Sequence, residues 1–101
     1  LSLEMLKKAY KNNPESYYIL DSLAWAYFKK NNLSKAAELM EEVLFRAPGE
    51  AISIDHLGDI YFAMGRKREA FYMWKQAKDL AKPEDDILDS LQIKIKQYNA
   101  G

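Results

Sequence analysis

A self-match at a spacing of 34 residues constrains this chain more than any other feature. Leu23, Ala24, Tyr27, Phe28, Ala36 and Val43 reappear as Leu57, Gly58, Tyr61, Phe62, Ala70 and Ala77, and Pro14 is followed at the same interval by Pro48. A fixed period of this length signals stacked supersecondary units, not one core around a single active site. The functional question therefore concerns a partner more than a reaction.

Within each period the apolar residues follow helical spacing. Leu3, Leu6, Ala9 and Tyr10 share one helix face, and Asn12-Asn13-Pro14 stops that helix, because proline lacks an N–H and clashes with the preceding turn. Leu20, Leu23, Ala24 and Tyr27 predict a helix within about 16–30. Asn31 and Asn32 suit the left-handed backbone that ends helices, and Ser34 is expected to cap the next one, which carries Ala36, Ala37, Met40, Val43 and Leu44. After Ala47-Pro48-Gly49 the second round predicts helices near 50–64, closed by Gly65, and near 67–81. Glu84, Asp85 and Asp86 are expected in the first turn of a final helix bearing Ile87, Leu88, Leu91 and Ile95 and ending before Asn99. No segment alternates as a strand would.

Composition removes several function classes. With 15 basic and 15 acidic side chains in 101 residues the net charge is 0, which does not suit a nucleic-acid binder. There is no cysteine, so disulfides and thiolate metal sites are excluded. No apolar run approaches the roughly 20 residues that span a bilayer. A start at Leu1 within a helical pattern points to a piece of a longer protein, and the compartment is open.

These helix pairs resemble tetratricopeptide repeats. That family's pattern is met by Leu20, Leu23, Ala24, Tyr27, Ala36, Met40, Val43 and Pro48, and again by Ile54, Leu57, Gly58, Tyr61, Ala70, Trp74 and Ala77. Val43 stands where a small residue is usual, and Lys82 stands where proline is usual, with Pro83 adjacent. The resemblance implies an all-α fold, a right-handed α-solenoid of antiparallel helix pairs with about six helices. Residues 1–14 would be the second helix of a partial repeat, 17–50 and 51–84 two repeats, and 85–99 a capping helix. A small residue at Ala24 and Gly58 lets helices approach closely, and Tyr27, Met40, Tyr61 and Trp74 fill the space between them. Segments such as Leu20-Asp21-Ser22-Leu23-Ala24-Trp25 and Gly65-Arg66-Lys67-Arg68-Glu69-Ala70 are similar to C-terminal repeats of bacterial members, some of which are envelope-anchored adaptors.

No catalytic constellation stands out, and no enzyme activity, cofactor or metal is expected. His56 is the only histidine; Asp55 and Asp59 flank it on one helix, which raises a metal site, against the plainer reading of a solvated histidine beside two acids. Asn32-Leu33-Ser34 fits a glycosylation sequon but doubles as a turn and cap. Arg66-Lys67-Arg68 reads as a solvated turn and helix start, and Lys94 and Lys96 as dipole complement and solubilising cap.

Family geometry implies a working groove lined by first helices: Tyr18, Asp21, Ser22, Trp25, Phe28 and Lys29 from one repeat, Ile52, Asp55, His56, Asp59, Phe62 and Ala63 from the next, extended by Asp86, Asp89, Ser90, Ile93 and Lys96. Trp25 is the expected anchor, since it lies off the core stripe; Trp74 lies on that stripe and is expected in the core. Asp21 and Trp25 stand where chaperone-binding members carry Lys and Asn, so a carboxylate clamp is not expected. The expected partner is a protein or peptide segment, apolar with a basic flank, bound by an adaptor or scaffold within a larger bacterial protein. Neither nucleic acid nor membrane contact is expected. The alternative is a structural solenoid end, or a homodimer formed through the exposed N-terminal helix, with no ligand of its own.

Overall fold

The computed structural model describes residues 2–100, with the backbone alone described at Ala100. Leu1 and Gly101 lie outside the described residues, and with Leu1 the expectation that rests on it. The described chain is all helical: α1 (Leu3–Asn12), α2 (Tyr17–Lys29), α3 (Leu33–Arg46), α4 (Ala51–Ala63), α5 (Lys67–Leu80) and α6 (Leu88–Ala100), with a 3-10 turn over Pro83–Asp85. No described helix is long and apolar enough to cross a membrane. Two compact units divide at Pro48–Gly49.

In the first unit, Ser2 and Ser16 cap α1 and α2, each hydroxyl accepting the N–H three residues on, from Met5 and Ile19 at 3.2 Å. α2 ends through the left-handed Asn31 (φ 63°). The Asn32 N–H then returns to the Tyr27 carbonyl at 2.9 Å and the Asn31 N–H to that of Phe28 at 2.9 Å, the paired hydrogen bonds of a Schellman ending. This three-residue turn folds α3 back on α2 as an antiparallel hairpin, and α1 packs on α2. Leu6, Leu20, Leu23, Ala24, Ala36, Met40 and Val43 form the core. Arg46 clasps the far end. Its guanidinium donates to the Pro14 carbonyl and the Tyr10 hydroxyl, both at 2.7 Å, and to Glu42 at 2.8 Å.

The second unit repeats the hairpin. Gly65 (φ +84°) stands 34 residues after Asn31 in the same left-handed region, and the Arg66 N–H returns to the Tyr61 carbonyl at 2.9 Å. α4 and α5 pack closely at Gly58, where a Cβ would lie 2.5 Å from Cδ1 and Nε1 of the Trp74 indole. The equivalent positions of the first unit hold Ala24 and Met40, so a smaller wall is matched by a larger filler. α6 packs on α5, where the Tyr98 ring stacks on Phe71 at 4.3 Å, and its Leu91 is fully buried.

Two expectations are corrected. Ser34 is not the cap of α3: Asn32 is, its Oδ1 accepting from the Lys35 N–H at 3.3 Å, and Ser34 is already the second helical residue. The Schellman ending assigns the left-handed conformation to Asn31 alone and frees Asn32 for capping. The final helix starts at Leu88 and runs past Asn99. Glu84 and Asp85 belong to the separate 3-10 turn, closed by the Asp85 carboxylate accepting the Lys82 N–H at 2.9 Å, and Asp86 follows in a left-handed conformation (φ 54°) that interrupts the helical path. Asp89 supplies the acid of the first α6 turn.

Asn32→Ala is expected to lower the unfolding free energy by about 1 kcal/mol, whereas Ser34→Ala should stay within about 0.5 kcal/mol. Gly58→Ala is expected to cost about 2–3 kcal/mol by overpacking against Trp74, of which the better helix propensity of alanine offsets about 1. Urea unfolding of the three variants checks the order; a Ser34→Ala loss larger than that of Asn32→Ala would contradict the capping geometry.

Candidate functional site

The faces named from sequence lie on α2 in the first unit and on α4 in the second. On α2 the core stripe Leu20, Leu23 and Ala24 is buried, so helical spacing turns Tyr18, Asp21, Ser22, Trp25, Phe28 and Lys29 elsewhere. Tyr18 is 68% exposed and stacked on Tyr17 at 4.3 Å. Ser22 and Lys29 are exposed, and Asp21, Trp25 and Phe28 are half-buried. The Trp25 and Phe28 rings pair at 4.7 Å with a 34° tilt, forming one aromatic surface from two helical turns.

The α4 positions behave differently. Ile52 and His56 are half-buried, and Phe62 is 46% exposed. Asp55 is only 7% exposed, and both it and Asp59 are engaged from within the unit. The Lys94 ammonium of α6 reaches Asp55 Oδ1 at 2.8 Å and Asp59 Oδ1 at 2.9 Å. Asp59 Oδ1 also accepts the Trp74 indole N–H at 3.2 Å. Lys94 therefore bridges α6 to α4 and is not the solubilising cap expected from sequence; that reading is corrected.

The electrostatics follow from this placement. Burial pushes the Asp55 carboxyl above its ordinary value, and the hydrogen bond from Lys94 opposes that shift. Burial alone would lower Lys94, but its hydrogen bonds and attraction to Asp55 and Asp59 outweigh it and hold the ammonium above its ordinary 10.5. Among the described residues no three His, Cys, Asp or Glu side chains gather where a metal ion could sit. The centre between Asp55 and Asp59 is instead occupied by an ammonium.

Trp74 is core, as expected, at 4% exposed, yet one edge of its indole helps line a cleft between α4, α5 and α6 with Asp59, Phe62, Lys67, Lys94, Gln97 and Tyr98. Sequence reasoning named Asp59 and Phe62 of this set but gave no functional part to Lys67, Lys94, Gln97 or Tyr98. The available signal was the spacing of Leu91, Lys94 and Tyr98, which puts a lysine on the buried stripe of α6.

Comparison with known proteins gives a consistent result. A tetratricopeptide repeat family model matches residues 18–44 and 51–82, the two helix hairpins. A curated bacterial relative, the TPR repeat-containing protein PA4667 of Pseudomonas aeruginosa, is 34% identical over 56 residues, 55% of this chain; the match spans 9% of that protein's length.

Lys94→Met tests the bridge. At pH 7 the variant should be less stable than wild type by about 2 kcal/mol, below the ~3–5 kcal/mol typical of fully buried pairs because Lys94 keeps some hydration. The deficit should shrink in acid. Without the ammonium, burial leaves the folded Asp55 pKa above its unfolded value, so stability rises as pH falls through that window. In wild type, the Lys94 contribution should persist at neutral pH and fade only as pH rises past about 10.5. Urea midpoints of both proteins from pH 4 to about 11 check this; a deficit that grows towards acid would refute it.

Proposed function

The chain belongs to the tetratricopeptide repeat family, and we propose that it serves as a peptide- or protein-binding module through the outward faces of α2 and α4, as an adaptor or scaffold within a larger bacterial protein. Repeats of this family mediate protein–protein interaction and are typically non-catalytic. The observation that carries the finer reading is the α2 face. Its stacked and paired rings, Tyr17–Tyr18 and Trp25–Phe28, present aromatic surface that the core stripe of the same helix does not use. Surface of this kind is what interface anchors are made of.

The charge of the partner follows from what is already neutralised. A basic flank was attractive because Asp21, Asp55 and Asp59 fall on first-helix faces. Lys94 pairs with two of these three acids and cancels one of their charges. The proposed segment therefore binds mainly through apolar and aromatic contacts at Tyr18, Trp25 and Phe28, with Asp21, Ser22 and Lys29 setting orientation at the rim.

Trp25→Ala is the test. Affinity capture with the full-length parent, wild type against variant, should show at least a tenfold loss of specifically bound partner. The urea midpoint of the domain should move by no more than about 1 kcal/mol in free energy, the half-buried ring being off the core stripe. Equal partner recovery by the two proteins would sink the reading.

A further inference from the structure

We propose that the cleft between α4, α5 and α6 is a docking pocket for an apolar side chain flanked in its own chain by a side-chain carboxylate, presented by an acidic segment of a partner protein. This deepens the interaction reading above and rests on it. The pocket is distinct from the α2 face and lies wholly within the second unit.

Size and lining come first. The cleft encloses about 680 Å³, inside the roughly 300–1,000 Å³ typical of ligand pockets. Phe62 and Trp74 form an aromatic wall, their centroids 5.6 Å apart at a 39° tilt, and Phe62 is left 46% exposed beside it. Tyr98 closes another side, fixed by its stack on Phe71. Rings held by such contacts are preorganised, so an entering apolar side chain displaces water without reordering the wall.

The charges then select the flank. An aromatic wall beside a carboxylate could in principle hold a cation. Here both cation positions are filled: Lys67 Nζ stands 5.7 Å from the Phe62 centroid and Lys94 Nζ 5.7 Å from that of Trp74. Lys94 is paired with Asp55 and Asp59, but Asp55 is buried behind the cleft and only Asp59 lines it, so the lining itself carries two ammoniums against one carboxylate. Lys67 has no carboxylate partner among the described residues, whereas its neighbour Arg66 is taken up by Glu69. Lys67 is also the first residue of α5, where the helix dipole adds to its positive potential. An incoming cation meets repulsion and an incoming carboxylate meets the one uncompensated ammonium of the lining. Asp59, already committed to Lys94 and the Trp74 N–H, contributes little opposing charge.

The test uses three capped peptides, acetyl-Gly-Ser-Phe-Asp-Glu-Gly-amide, its counterpart with lysines for both acids, and its counterpart with serine for phenylalanine. A fourth, free-acid Gly-Ser-Phe, carries a terminal carboxylate instead. Each is titrated into the isotope-labelled chain while the Trp74 indole N–H resonance is followed, with Trp25→Phe assigning the two indoles. The acidic peptide is expected to move the Trp74 signal and the Lys67 amide. Lys67→Glu should weaken it at least fivefold and raise the affinity of the lysine peptide; glutamate suits a helix start, so folding is retained. Equal or tighter binding of the lysine, serine or free-acid peptide to wild type overturns the proposal. So does indifference to Lys67→Glu, or silence at Trp74 up to about 2 mM peptide, the limit of roughly −4 kcal/mol affinities. A response confined to Trp25 and Tyr18 overturns the pocket while leaving the α2 reading intact; loss of the native partner in Trp25→Ala bears on that reading alone.

Discussion

The second unit depends on the contact between the Trp74 indole and the bare backbone of Gly58. There is no room for a Cβ at that position, and the absence of one lets α4 and α5 close until the Cδ1–Nε1 edge of the indole meets the helix backbone. Everything nearby is placed by that approach. The indole N–H reaches Asp59 only because the ring sits there, and Asp59 so oriented joins Asp55 in receiving Lys94. The ammonium in turn stands over the ring that positioned its partner. α6, which packs on α5, is thereby also tied to α4 by a charged group.

That arrangement explains what was legible in the sequence and what was not. The 34-residue period predicts features that each repeat settles locally: the apolar stripes, the small positions Ala24 and Gly58, and the left-handed helix ends at Asn31 and Gly65. It does not decide between two neighbouring residues that suit the same turn, which is how Ser34 took a part that belongs to Asn32. Nor does a period speak to the end of the array. Asp85 turns its carboxylate back to the Lys82 N–H in a separate 3-10 turn over Pro83–Asp85, so acids that resemble a helix start precede it instead. Lys94 was the larger miss. Its partners lie 39 and 35 residues away, and local rules read a lysine near a helix end as a match for the dipole.

The same period makes the two helix faces directly comparable, since Tyr18, Asp21, Ser22, Trp25 and Phe28 stand 34 residues before Ile52, Asp55, His56, Asp59 and Phe62. The aspartate and the phenylalanine are kept between repeats. The decisive change is Trp25 to Asp59. In the first unit the position carries a ring that pairs with Phe28. In the second it carries a carboxylate that binds the Trp74 N–H and Lys94, and Phe62 turns to Trp74 for its ring partner. One position in a shared frame thus decides whether a ring pairs along its own helix or a carboxylate ties that helix to its neighbours.

A buried ion pair is weak support for stability, because desolvation offsets much of its attraction. The value of the Lys94 bridge lies more in what it excludes. By pairing with both Asp55 and Asp59 it cancels one of their two charges and weakens the pull they could exert on a basic partner. It leaves Lys67 as the uncompensated charge beside the aromatic wall. In repeat modules whose core positions are all consumed by stacking, the few polar side chains that neighbouring helices leave unmatched carry the specificity.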